Sequence, residues 1–277
     1  MWKLEKPTLQ SSRNDLRKVV EQCKVLSEDD LSEFEALYEE YDNNKGFISE
    51  DYHDDFIRHY KNQSETMYQQ YEKLNVKQKF DYIRADLFSV ESHCPFCGFG
   101  ELMTLDHYMP KSKYRELATC RLNLVPICWT CNQKKGNHNY QNFIHSYYQE
   151  FPKDVVFLKC AIDIKCGGAI AFSFYIDGFG IDSELKKRLE CQIQIVDLNN
   201  RLKKECISYI FSNFFIDNIS NDEDLRFFIN NRLERTEERL GKNDWHAALL
   251  AGLRDCPNFN LAFLKVFFNS RNHACNV

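Results

Sequence analysis

Two Cys-x-x-Cys pairs, Cys94/Cys97 and Cys128/Cys131, bracket the stretch "CPFCGFGELMTLDHYMPKSKYRELATCRLNLVPICWTC". No other feature restricts the fold as much. Four soft thiolates in paired spacing form the closed tetrahedral set that zinc takes in a structural role, so both ends of the segment must meet at one point. A thioredoxin-like redox motif uses one pair beside a βαβ unit, and here there are two pairs. With every position filled by cysteine, such a zinc offers no open site to a substrate. Any chemistry must then come from side chains that the clip holds in place, and Asp106 and His107 lie between the two pairs.

Twelve cysteines would suggest disulfides in a small secreted chain, but "MWKLEKPTLQ" lacks the apolar core of a secretory signal. No stretch approaches the twenty or so apolar residues of a membrane span. The expectation is a cytoplasmic protein with reduced thiols and no membrane association, its eight remaining cysteines packed as small hydrophobes. At 277 residues and 43% hydrophobic the chain can bury one large core or two smaller ones.

Charge is distributed unevenly. Acidic residues outnumber basic ones on both sides of the clip, whereas residues 106–140 carry Lys111, Lys113, Arg115, Arg121, Lys134 and Lys135 against only Asp106 and Glu116. With an overall pI near 5.9, this local excess is the pattern of a surface on which a polyanion docks.

The flanks read as mostly helical. Leu16, Val19, Val20 and Cys23, then Phe34, Leu37 and Tyr38, recur at three to four residues, with Ser27 and "EDD" as a cap between two helices. "YDNNKGFISEDY" has a glycine but places it and His53 wrongly for a calcium loop. "VVFLKCAIDIKCGGAIAFSFYID" has the β-branched and aromatic content of a hairpin turning at Gly167-Gly168. From Ser183 to Ser270 the period is helical again. The fold class expected is α+β and mostly α-helical. Its parts are a helical region at 1–90, a metal finger at 91–140, and a hairpin with helices at 141–277, the helices of both flanks forming one body. No internal repeat or phosphate-binding loop is present, so the chain does not itself read as an ATPase.

"LDHYMPKS" followed by "NLVPICWTCNQKKG" resembles the HNH nuclease family, in its four-cysteine, zinc-braced branch. The resemblance implies a ββα-metal fold with Asp106 and His107 on a short hairpin, Asn123 before the second knuckle and Asn132 at a helix start. It covers the finger and little of the flanks. The wider layout is similar to the HNH subunit of Septu-type anti-phage systems, including retron-associated copies. That similarity implies an ABC-like ATPase partner, and with retrons a reverse transcriptase and its nucleic acid. The acidic helix around Glu28–Glu40 and the C-terminal helices are then candidate docking surfaces.

Phosphodiester hydrolysis asks for these residue types on its own account. A neutral histidine takes the proton of an attacking water, and His107 is the expected general base. Asn123 is expected to supply part of the acceptor set that holds its tautomer. A hard cation, Mg²⁺ or Mn²⁺, offsets charge on the phosphate and wants oxygen ligands, here Asp106 and the Asn132 amide. Lys113, Arg121 and Lys134 are expected to hold neighbouring phosphates, and His138 and His145 to lie at the surface or on a partner. The rival reading is a non-catalytic zinc module that binds nucleic acid or scaffolds an assembly, for which the Asp-His pair has no task. DNA and RNA are not distinguished.

Overall fold

The computed structural model describes residues 2–272 apart from 25, 138–139, 166–167 and 215–218. It is mostly helical with two small antiparallel sheets, the α+β class expected. The chain divides into two units, residues 2–150 and residues from 151 onward. The N-terminal helices share a unit with the metal finger, and the C-terminal helices pack with the hairpin, in place of the single helical body expected.

In the first unit, α1 (Leu9–Cys23) is capped by the Thr8 side chain. α2 (Glu28–Asn43) starts in a full capping box, with the Ser27 hydroxyl accepting from the Asp30 N–H and the Asp30 carboxylate reaching back to Ser27. Phe34, Leu37, Tyr38 and Tyr41 fall at i, i+3, i+4 and i+7 and are all buried, which makes this stripe the core of the unit. α3 (Glu50–Gln70) follows from a Ser49 cap and continues into a 3-10 turn at Tyr71–Leu74, and α4 (Asp81–Phe88) leads to the first knuckle. Strands β1 (Thr104–His107) and β2 (Leu124–Ile127) pair antiparallel, with Asp106 opposite Val125 and His107 opposite Leu124. α5 (Trp129–Lys135) completes a ββα finger. Ahead of α1 the chain is stitched in at two points: the Trp2 N–H donates to the Pro95 carbonyl and the Leu4 N–H to the Ser146 carbonyl, both at 2.9 Å.

The second unit is built on the hairpin β3 (Leu158–Lys165) and β4 (Ala169–Ile176), registered Leu158 to Ile176 through Lys165 to Ala169. Gly168 has φ +82°, the left-handed turn conformation that glycine takes without cost; Gly167, the other glycine of the expected turn, lies outside the described residues. Helices α6 (Ser183–Ile195), α7 (Leu198–Asn213), α8 (Asp222–Leu240), α9 (Trp245–Asp255) and α10 (Leu261–Asn272) follow. α9 buries Trp245, Ala247, Ala248, Leu249, Leu250 and Leu253, most of its circumference. A Cβ at Gly252 would stand 2.3 Å from the Cys160 carbonyl oxygen, so only glycine lets α9 lie this close to β3.

Cys120, Cys160 and Cys206 are buried and Cys23, Cys191 and Cys256 half-buried, while Cys166 and Cys275 lie outside the described residues. No described helix is long and apolar enough to cross a membrane.

Candidate active site

The four cysteine sulfurs lie within 4.8 Å of one another, all buried. Cys97 and Cys128 Sγ are 3.9 Å apart; the edge of a tetrahedron with zinc–sulfur bonds of about 2.3 Å is about 3.8 Å. The knuckles hold these positions by short bonds. The Gly98 N–H donates to the Cys94 carbonyl, the Gly100 N–H to Cys97 Sγ and the Cys131 N–H to Cys128 Sγ. A Cβ on Gly100 would meet the Cys128 side chain at 2.7 Å, so glycine is required where the knuckles close on each other. Hydrogen bonds among the four thiols push Cys128 down and Cys131 up, and burial with those bonds pushes Cys94 up, so the cluster shares its protons as one unit. Spacing, burial and sulfur chemistry all fit a structural zinc.

β1 delivers the Asp-His pair. Side chains alternate along a strand, and the partners of the two residues diverge accordingly. Asp106 meets α5, where the Lys135 ammonium lies 3.1 Å from its Oδ1 and 2.9 Å from its Oδ2. Burial pushes the Asp106 carboxyl up, and Lys135 opposes that shift. Lys135 is 1% exposed and also donates to the carbonyls of His107 (3.0 Å) and Tyr108 (3.4 Å), so one buried cation fixes both the carboxylate and the end of β1.

His107 turns to the loop between the strands, its Nε2 3.0 Å from the Ala118 carbonyl oxygen. An oxygen acceptor at that distance requires the proton on Nε2, which leaves the Nδ1 lone pair as the basic site. Burial pushes the imidazole pKa down to about 3 against the upward pull of the Ala118 carbonyl, so the ring is neutral at ordinary pH. The Tyr71 ring covers it edge-on with centroids 4.5 Å apart, the Tyr71 hydroxyl donates to the Leu105 carbonyl, and the Lys111 ammonium lies 4.0 Å over the Tyr71 ring. Asp106 and His107 are 5% and 7% exposed, so the site is closed over.

Asn123 does not touch His107; the acceptor expected of it is supplied by Ala118. Its amide is fully buried and spans the loop instead. Oδ1 accepts from the Met109 N–H (2.8 Å) and the Tyr41 hydroxyl (3.1 Å), and Nδ2 donates to the Met109 (3.0 Å) and Leu117 (3.4 Å) carbonyls. His145, expected at the surface or on a partner, is buried: its Nδ1 accepts from the Tyr147 N–H and its Nε2 lies 3.0 Å from the Tyr41 hydroxyl. His145, Tyr41 and Asn123 thus form one chain of hydrogen bonds that sets the loop carrying Ala118. His138 lies outside the described residues. Asn132 is half-buried on α5, three residues before Lys135 and so on the same helical face. No hydrogen bond joins the Asp106, His107, Asn123 and Asn132 side chains to one another.

The expected phosphate-binding residues separate. Lys134 is exposed on α5. Lys113 is exposed and paired with Glu50 at 2.5 Å. Arg121 is buried and bridges Asp15 of α1 and Asp86 of α4, so it serves the fold and not a substrate. With Arg115 on Glu65, three of the finger's six basic residues, Lys113, Arg115 and Arg121, pair with acidic residues of the N-terminal helices. Arg121→Met is therefore expected to lower stability by about 3 kcal/mol, because it leaves Asp15 buried with its main cation gone. The denaturant midpoint reads this, and an unchanged midpoint would contradict the assignment.

Asp106 Oδ2 is buried, and the Lys135 ammonium 2.9 Å away is its one polar neighbour among the described residues. Its open lone pair, with the Asn132 amide on the facing helix, fits an oxygen-liganded divalent cation. The site is a ββα finger with a four-cysteine cluster that carries an aspartate, a carbonyl-bonded histidine and an asparagine on its strands and helix. Residues 94–138 match the family model of the HNH endonuclease, so the chain carries an HNH endonuclease domain there. No curated protein and no solved structure shows a match to the chain.

Proposed function

We propose that the protein is a metal-dependent HNH endonuclease in which His107 is the general base. The observation that carries this reading is the His107 tautomer: a proton held on Nε2 by the Ala118 carbonyl leaves Nδ1 to accept a proton from a water attacking the phosphorus. Asp106 and Asn132 would hold Mg²⁺ or Mn²⁺, which supplies positive charge to the phosphate and leaving oxygen when bound. Lys135 opposes the burial that raises the Asp106 carboxyl and anchors the strand end, so the carboxylate stays in place through the reaction. Asn123 and its partners Tyr41 and His145 keep the loop, and with it the Ala118 carbonyl, in register. Lys113 and Lys134 are exposed cations of the finger that would meet neighbouring phosphates.

The closed site supports a restrained nuclease that a partner opens. A base with a pKa near 3 holds a proton poorly, and admitting water and a phosphate's negative charge moves it back toward the ordinary histidine range. A role as the effector of an anti-phage system, working with an ABC-like ATPase and in retron-associated forms with a reverse transcriptase, accords with this restraint. Purified protein offered supercoiled plasmid, linear duplex, single strand and tRNA, with Mg²⁺ or Mn²⁺ and with or without such a partner, tests the activity. No cleavage of any substrate with partner and metal present would sink the reading. If Tyr71 is part of the restraint, Tyr71→Ala raises basal cleavage by about fivefold, the factor matching about 1 kcal/mol of ring packing. A rate equal to or below wild type would show that the ring does not gate the site.

A further inference from the structure

We propose that the second unit carries a separate binding groove for single-stranded nucleic acid along α8. The groove encloses about 760 Å³, and Phe227, Phe228, Asn231, Arg232, Arg235 and Arg239 are among the residues that line it. The three arginines fall at i, i+3 and i+7 and so form one stripe, while Glu234, Glu237 and Glu238 fall outside the groove lining. At 1.5 Å per residue the steps between arginines are about 4.5 and 6 Å along the axis, the range over which successive phosphates of a flexible strand can be matched.

The side chains are set out as such a ligand needs. Arg232 is fixed: its guanidinium lies 5.2 Å over the Phe228 ring and donates to Asn213 Oδ1 at 2.7 Å. Arg235 and Arg239 are exposed, and no described carboxylate pairs with either, unlike Lys113, Arg115 and Arg121 of the finger. Phe227 is 69% exposed beside them. An exposed ring next to a cationic track is the arrangement in which bases stack and phosphates are held, and stacking requires an unpaired base. The groove lining sets three arginines against one carboxylate, Asp224, and in a chain of net charge −5 that local excess of positive charge is matched by a polyanion. The inference stands apart from the chemistry at His107: it concerns the other unit, and binding there needs no cleavage.

The test uses the full-length, zinc-loaded chain without added divalent cation and follows fluorescence anisotropy of a labelled oligothymidine and of a duplex. The R235Q/R239Q double variant should bind the single strand about tenfold more weakly, with the slope of log affinity against log salt reduced by about 1.4, or about 0.7 for each phosphate no longer neutralised. F227A should weaken single-strand binding by about tenfold and duplex binding much less. H107A should bind as wild type does, so an inactive nuclease does not obscure the result. Unchanged affinity and salt slope in R235Q/R239Q would overturn the proposal and leave the groove to an acidic protein surface. Equal losses on duplex and single strand, with F227A neutral, would overturn the single-strand assignment.

Discussion

His107→Ala lowers phosphodiester cleavage by about a hundredfold or more, the range for loss of a positioned general base. Of the site's contacts, the imidazole carries the Ala118 hydrogen bond and the Tyr71 ring packing. The Lys135 anchor is made to Asp106 and to main-chain carbonyls, and the cysteine clip lies at the far ends of the segment. Folding, metal content and nucleic-acid affinity should therefore persist while the rate collapses. Asp106→Ala fails differently: it removes the carboxylate that would hold the catalytic cation and also strips Lys135 of its counter-ion, so both activity and stability fall, and excess Mn²⁺ restores part of the rate. A non-catalytic zinc module predicts no such split. His107→Ala cutting as fast as wild type would falsify the assignment of this histidine as base.

The second large effect is expected at the clip. Cys128→Ala removes one of four ligands and the thiolate whose Sγ accepts the Cys131 N–H, so the start of α5 loses both metal and cap. Structural zinc sites contribute apparent binding energies of about 10–16 kcal/mol, and that energy is folding energy. The variant should therefore purify with little zinc and with the finger unfolded, and strong chelation of the wild type should do the same. Elemental analysis checks this directly: wild type carries one zinc per chain, and a Cys128→Ala protein with undiminished zinc would refute the cluster. Because α5 also delivers Lys135 and Asn132, cleavage should be lost along with the metal.

The parts of this architecture that local periodicity encodes were legible in the sequence. The Phe34–Tyr41 stripe, the strands around Gly168, the helix starting at Ser183 and the two knuckles each announce themselves within a few residues. What stayed hidden depends on pairings between distant segments. A basic loop reads the same whether its cations face solvent or acidic residues of other helices, and only the fold shows that Arg121 meets Asp15 across 106 positions. His145 looked like a surface histidine because nothing local marks the tyrosine hydroxyl that meets it from α2. Asn123 was singled out by the family resemblance, but its partners were not legible, since its hydrogen bonds to Met109, Leu117 and Tyr41 presuppose the folded loop. Lys135 was the recoverable omission: in "CNQKKG" it stands three residues after Asn132, hence on the same face of the helix that meets β1.

The backbone stitches at Trp2 and Leu4 bear on the order in which this unit is assembled as the chain is made. Both segments emerge from the ribosome well before their partners: Pro95 sits inside the first knuckle, and Ser146 lies beyond the end of the finger. Trp2 therefore waits until Pro95 and Leu4 until Ser146, close to the end of the unit at Glu150, and pairings of such sequence separation form slowly because the intervening loop must close first. A nascent chain thus carries its cysteines and its Asp-His pair for many residues without the scaffold that aligns them. For a chain with an HNH endonuclease domain, this sets the last backbone pairing around that domain near the end of the unit's translation.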